Sequence, residues 1–323
     1  MKILITGGRG YISSCLGEFL LKAGYDILLA SRDMSNDYSH TPPGAAMTQI
    51  VWGDEDSLNK ICTGIDVVIH AAGMNKKDSS DSPFDAFMFN GVATANLIKA
   101  AVAKGVRQFI YLSTYDIYSN PLIGEIVESS CPCNPHPYAT SHRAGEDVVI
   151  AAGQQRLLES VVLRISNGFG TPTRKEVDCW SLFVNDLCRQ AVQTKKLSIR
   201  SNAGQLRNFI PVNEICGIIG GLITKPINKT LSGGQNLINI GSDLNMSLLE
   251  MAEIIQYRCL KVLGLHTEII YDQEKLIRPI TQFSFNLSRL HNLGYKTQFD
   301  MHSEIDDLLV FCQKNFGVLK INE

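Results

Sequence analysis

The sequence predicts an α/β fold built on a doubly wound parallel sheet, and three observations carry the prediction. Short apolar runs alternate with stretches of helical period along most of the chain. The first run, Ile3-Leu4-Ile5, passes directly into Gly7-Gly8-Arg9-Gly10 and then into an amphipathic segment, a strand–turn–helix unit. Apolar residues fill 45% of the 323 positions and charged residues 19%, enough apolar side chains to cover both faces of a sheet with helices.

The elements follow in order. Residues 2–6 read as the first strand, 11–23 as the helix behind the glycine turn, and 26–31 as a second strand. A short strand-like run ends at Gly53-Asp54, and residues 66–71 form the next strand. A helical stretch near 84–104 leads to a strand at 108–113. A helix follows Tyr138, and a strand follows at 160–165. Near residue 170 the texture changes: Gly170-Thr171-Pro172-Thr173 interrupts the alternation, and a helical segment over 179–194 comes next. Ser232-Gly233-Gly234-Gln235 punctuates the chain before a last strand-like run at 237–241.

A net charge of −2 and a pI near 6.4 give no electrostatic basis for binding nucleic acid or an anionic membrane. No apolar run is expected to reach the roughly 20 residues of a membrane-spanning helix. Residues 2–5 are already structural, so no leader is expected ahead of them. The nine cysteines, an odd number without paired C-x-x-C spacing, fit reduced thiols in a cytoplasmic protein. Cys131-Pro132-Cys133 reads as a loop holding two thiols, because no second Cys/His cluster completes a metal site.

The glycine turn is built for a dinucleotide diphosphate. Gly7 and Gly10 let backbone N–H groups approach the phosphates, and the helix starting at Tyr11-Ile12 presents its N-terminus to them. Ser13 replaces the third glycine of the usual spacing, a mild change where a small residue is needed. The end of the second strand bears on which dinucleotide binds. An acid there would accept from the ribose 2′-hydroxyl of NAD, but the chain has Ser31-Arg32-Asp33. Arg32, with Arg9 inside the turn, would suit the 2′-phosphate of NADP, while Asp33 leaves NAD open. Asp54 would accept from the adenine amino group. Ala71, Ala72 and Gly73 are small enough for backbone to lie against the cofactor. Asn90 would bond backbone beside the site or serve as a buried structural amide.

These residues, with Ser113 to Tyr118, Pro135 to Glu146, Asn167 to Gly170, Arg207 to Glu214, Asn239-Ile240-Gly241 and Leu293-Gly294-Tyr295, resemble the extended short-chain dehydrogenase/reductase family. They are most similar to its nucleotide-sugar epimerases, dehydratases and ketoreductases. The resemblance implies a Rossmann domain over residues 1–170, to which the strand near 237–241 returns. It also implies a smaller, mainly substrate-binding domain over 171–323, and a homodimer.

The resemblance further implies that Thr114, four residues before Tyr118, polarises the substrate oxygen and that Tyr138 moves its proton. The family's Tyr-x-x-x-Lys motif here reads Tyr138-Ala139-Thr140-Ser141-His142, so histidine stands where lysine belongs. A free tyrosine has a pKa near 10, which the fixed charge of lysine lowers; a histidine is mostly neutral at pH 7 and does so less. Three readings follow. His142 does a reduced version of the lysine's work, Lys76, Lys77 or Arg143 compensates, or the chain only binds NADP as a catalytically impaired regulator. Reduction suits the change best, since Tyr138 then starts protonated. A 4-ketoreductase is therefore expected, with 4-epimerase and 4,6-dehydratase as alternatives. The dehydratases' Asp-Glu pair is here Tyr115-Asp116, so Asp116 would act alone or bond a sugar hydroxyl. Asn167, Arg207 and Arg278 match the family's substrate contacts, the arginines toward a diphosphate. These arginines weaken, without removing, the option of a non-sugar ketone.

Overall fold

The computed structural model describes residues 1–32, 41–224, 236–275 and 283–317. From the N-terminus, β1 (Lys2–Thr6) passes through the glycine turn into α1 (Tyr11–Lys22), then β2 (Asp26–Ser31), β3 (Ala46–Gln49), α2 (Glu55–Cys62) and β4 (Val67–His70). Three helices follow, α3 (Lys76–Asp81), α4 (Pro83–Phe87) and α5 (Thr94–Ala103), the last two joined by a π-helical stretch, Met88–Ala93. Next come β5 (Gln108–Thr114), β6 (Gly124–Ile126), α6 (Pro137–Gln154), β7 (Glu159–Ile165), β8 (Asn167–Phe169), α7 (Phe183–Thr194), β9 (Lys196–Ile199) and β10 (Leu206–Pro211). The chain ends with α8 (Val212–Thr224), β11 (Leu237–Ile240), β12 (Asn245–Ser247), α9 (Leu248–Leu263), β13 (Glu268–Tyr271), β14 (Phe283–Phe285), α10 (Ser288–Asn292) and α11 (Met301–Phe316).

Seven strands form one sheet in the order β3-β2-β1-β4-β5-β7-β11, and every pairing in it is parallel. The sheet is a doubly wound Rossmann arrangement. The order in which successive strands are added reverses between β1 and β4, and the crevice at the carboxyl ends of these strands is where such folds bind ligands. Helices on both faces explain why the central strands read as continuous apolar runs: β5 is buried at all seven positions. The period of two survives in which core each residue joins. Ile3 and Ile5 pack with Leu16, Leu20, Ile215 and Ile219 on one face, while Leu4 packs with Leu97, Ala101 and Val149 on the other. A third core gathers Leu187 of α7, Ile255 of α9 and Leu308 of α11.

The small sheets β12-β10-β8, β13-β9 and β14-β6 went unread in the sequence; apart from β10, their strands have only three or four residues, too few to show a period. The helix expected from 179 begins at Phe183, after Leu182 in extended conformation. The expectation that no apolar run reaches membrane length needs correction. Pro83–Ala103 is a continuous helical stretch of 21 residues that meets the length and composition of a span, with half of its most apolar window buried inside the fold. Leu97, Ile98, Ala100 and Ala101 contribute to that burial in the core, with Ala86, Asn90, Ala93 and Thr94 buried before them.

Candidate active site

Gly7 adopts φ +70°, and a Cβ there would lie 2.9 Å from Ala72 Cα, so only glycine lets the turn close on the end of β4. The Gly10 N–H donates to the Gly7 carbonyl at 2.7 Å, turning the chain into α1. Gly10 gives that helix no side-chain cap, and its first turn holds no acid, so the N-terminal N–H groups remain for an anion. Ser13 is buried, its serine accommodated in the third-glycine position. Arg9 is half-buried and lines a cavity of about 170 Å³ with Ser14, Arg174, Glu176 and Val177. Arg174 Nη1 is buried with no hydrogen-bond partner among the described residues. An open helix N-terminus beside an unsatisfied guanidinium fits a dinucleotide diphosphate. Arg174 was not foreseen, because it follows the change of texture near residue 170, and no motif marks it. Tyr11 is corrected in part: its phenol donates to the Gly170 carbonyl at 2.8 Å, leaving only its backbone for a cofactor. Ile12 packs against the core beneath the turn.

At the far end of the crevice, Ser31 is half-buried and Arg32 exposed, with the Arg32 guanidinium 4.9 Å above the Phe89 ring. Asp33 lies outside the described residues. The exposed Asp54 carboxylate accepts from the Asp56 N–H at 3.0 Å through Oδ1 and caps α2. Trp52, also unforeseen, meets Phe89 edge to face at 5.2 Å and lies 5.5 Å from the His70 ring.

His70 holds the floor together. Its Nδ1 is 2.7 Å from Thr6 Oγ1 and its Nε2 is 2.9 Å from Thr94 Oγ1, while Thr94 lies 2.7 Å from the Asn90 carbonyl. Thr6 also accepts from the Ala72 N–H at 3.2 Å. Every group is satisfied if Thr6 donates to Nδ1, Nε2–H donates to Thr94, and Thr94 donates to Asn90. Burial lowers the His70 pKa to about 3, so the ring is neutral. Asn90 proves structural: its Oδ1 accepts from the Met74 N–H and its Nδ2 donates to Ser141, so both ends are taken by protein. It sutures the Ala71–Ala72–Gly73 segment to α6.

Helix α6 places Tyr138. Pro137 starts the helix, and the His136 side chain accepts from the Tyr138 N–H at 3.1 Å. The half-buried phenol lies near Thr114 at the end of β5, whose hydroxyl favours its ionised form. Burial pushes the Tyr138 pKa well up, the nearby Asp116 carboxylate adds to the rise, and the Thr114 hydroxyl opposes it. Thr114 also donates to Asp116 Oδ2 at 3.3 Å.

One turn on, His142 is buried with its ring 4.6 Å from that of Tyr138. The Tyr111 phenol lies 3.1 Å from His142 Nδ1, and donation there leaves the proton on Nε2, the ring edge that faces Gly73. Burial lowers the His142 pKa to about 4 despite the opposing pull of Asp116. Of the cations weighed in its place, Arg143 pairs with Asp147 at 3.3 Å and donates to the Pro132 carbonyl. Lys77 is exposed. Lys76 Nζ lies 2.7 Å from Asp116 Oδ2 and 5.9 Å from the centre of the Tyr138 ring.

On the substrate side, Asn167 Nδ2 donates to the Tyr115 phenol at 2.6 Å and to the Asn208 carbonyl at 2.7 Å. Arg207 is half-buried on β10, near enough for its charge to act on Tyr115, which places it with the group around Thr114. Arg278 lies outside the described residues.

The model of the NAD dependent epimerase/dehydratase family matches residues 3–241. A putative UDP-glucose 4-epimerase of Methanocaldococcus jannaschii is 24% identical, over 97% of this chain and 99% of its own length. A dTDP-D-glucose 4,6-dehydratase of Mus musculus is 26% identical, over 98% of this chain and 89% of its own. Identities this similar to an epimerase and a dehydratase do not choose between the two reactions. The solved structure of MoeE5 in complex with UDP-glucose and NAD aligns with a TM-score of 0.76 at 21% identity, covering 97% of this chain and 99% of that one.

Proposed function

Since the chain belongs to the NAD dependent epimerase/dehydratase family, we propose that it transfers hydride at C4 of a nucleotide-activated sugar, and that its reaction is 4-ketoreduction with NADPH. The state of Tyr138 carries this reading. Burial and Asp116 keep its phenol protonated at neutral pH, and neutral His142 does not oppose them. Ketone reduction needs a proton donated to the C4 oxygen, whereas oxidation of a C4 hydroxyl needs the phenolate. Thr114, near the same phenol, polarises that oxygen as it gains charge.

The nicotinamide cofactor supplies the hydride when bound. His142 Nε2–H then donates to its ribose, and the open N-terminus of α1 with Arg9 holds its diphosphate. The 2′-phosphate of NADP falls to Arg32, although NADH remains the comparator because MoeE5 holds NAD. Arg207 takes the substrate diphosphate, and Arg278 is proposed as a second contact. Asp116 is left to orient a sugar hydroxyl. Epimerisation is the alternative, since it begins with the oxidation that Tyr138 is poorly set for. Dehydration is weakened by Tyr115 in place of a second acid. The exposed apolar face of α4 and the π-helical stretch supports a homodimer.

The test is turnover of NADPH and NADH with 4-keto nucleotide sugars, products identified by mass. Reduction with NADPH preferred is expected. Conversion of a UDP-hexose to its C4 epimer without net cofactor oxidation would replace this reading with the epimerase. Tight NADPH binding with no turnover of any sugar would leave the impaired regulator.

A further inference from the structure

Tyr138 must pass close to a phenolate when it gives up its proton, and its surroundings resist that charge. The groups facing it are few. Thr114 and Asp116 come from the end of β5 and the turn after it, with Tyr115 between them. Tyr111 lies behind His142, and both are neutral. Asp116 is the anion in this set, and it faces the phenol. Among the described residues, the cation over the ring comes from α3: Lys76 Nζ, 5.9 Å from the ring centre and 2.7 Å from the same Asp116 carboxylate.

The placement of Lys76 is built. Asn75 caps α3 by accepting from the Asp78 N–H at 2.9 Å, which sets Lys76 at the first helical position. Ser80, one turn later, lies 3.1 Å from His136 Nε2. His136 is the residue that caps α6 and accepts from the Tyr138 N–H. One histidine therefore locks the helix carrying the cation to the helix carrying the phenol.

We infer that Lys76 is a positioning residue for proton transfer, holding a positive charge beside Tyr138 through its ion pair with Asp116 and offsetting the carboxylate as phenolate forms. The inference deepens the proposed hydride-transfer reading and rests on it for its purpose. Its electrostatic content stands without that reading. The two charges act on Tyr138 with opposite signs. Loss of Lys76 leaves the Asp116 carboxylate unopposed and makes the phenol less acidic. Loss of Asp116 leaves the ammonium unopposed and makes it more acidic. Lys76 is more than half exposed, so solvent screening limits each shift to about half a pH unit.

The test places 3,5-difluorotyrosine, a more acidic phenol, at position 138 and follows its ionisation by fluorine NMR in the protein without cofactor or substrate. Lys76→Gln is expected to raise the midpoint, Asp116→Asn to lower it, and Lys76→Arg to restore it, with thermal melts confirming that each variant is folded. A midpoint unmoved by Lys76→Gln, or one moved the same way by both substitutions, overturns the inference, because a merely structural role has no such sign. If the signs hold and no keto sugar is reduced, the reductase reading fails while the assignment of Lys76 stands.

Discussion

His70 is enclosed between Thr6 and Thr94 and His142 between Tyr111, Tyr138 and Gly73, and burial lowers their pKa values to about 3 and about 4. On unfolding both rings enter water and titrate near 6.5. As pH falls from that value toward 4, the unfolded chain binds protons that the native one refuses, so stability falls with pH through this window. The expected loss is on the order of 3 kcal/mol per histidine by pH 4. Urea midpoints across this range check it. His142→Gln, which keeps an acceptor for Tyr111, should flatten the acid slope. An unchanged slope would mean that His142 already carries a proton near neutrality, and the phenol of Tyr138 would then sit beside a cation.

Helix α6 delivers Tyr138 and His142 on one face, and its middle is bolted to the sheet by charge. Glu146, fully buried, receives Arg164 Nε at 3.0 Å, Arg164 Nη2 at 2.7 Å and the Ser113 hydroxyl at 2.6 Å. Arg164 Nη1 donates to the Glu128 carbonyl at 3.1 Å, and the guanidinium lies 4.7 Å over the Tyr118 ring. Each of the three guanidinium nitrogens has an acceptor, so the pair persists in a dry setting. Removing one partner strands the other, and Arg164→Ala is expected to cost about 3–5 kcal/mol in denaturant unfolding. Arg164→Met with Glu146→Leu should recover most of that loss, since no lone charge remains. If the double variant is as unstable as the single one, the network does more than neutralise itself.

At the scale of the whole molecule, Phe84, Phe87, Met88 and Val92 are 76%, 51%, 43% and 37% exposed. They recur at helical spacing along α4 and the π-helical stretch, on the side away from Leu97 and Ala101. An exposed apolar stripe of this kind is expected to be covered by a second copy, in keeping with the proposed homodimer. Phe87→Glu should shift the sedimentation of the protein from dimer to monomer while its unfolding midpoint in the monomer range stays close. A monomer before the substitution would remove the dimer and leave the stripe to another partner.

The doubly wound sheet and the glycine turn were legible in the sequence because each depends on local order, apolar runs and glycines at close spacing; the roles of Thr114, Tyr138 and His142 came only from the family resemblance, and the fold is what brings the end of β5 to the start of α6. The strand order, with its reversal of winding between β1 and β4, was not legible, because alternation of strands and helices does not say which strands pair. Short strands such as β8, β12 and β14 were not legible, since three residues carry no period. Nor were the protein partners legible that Asn90 finds in the Met74 N–H, Asn167 in the Asn208 carbonyl and Asp54 in the first turn of α2. Hydrogen-bond capacity is finite, and only the assembled neighbours decide which partner takes it. The same holds for charge. The sequence by itself determined that histidine follows Tyr138 by four residues; tertiary structure decided that this ring is dry and neutral, and that a cation from α3 stands beside the phenol.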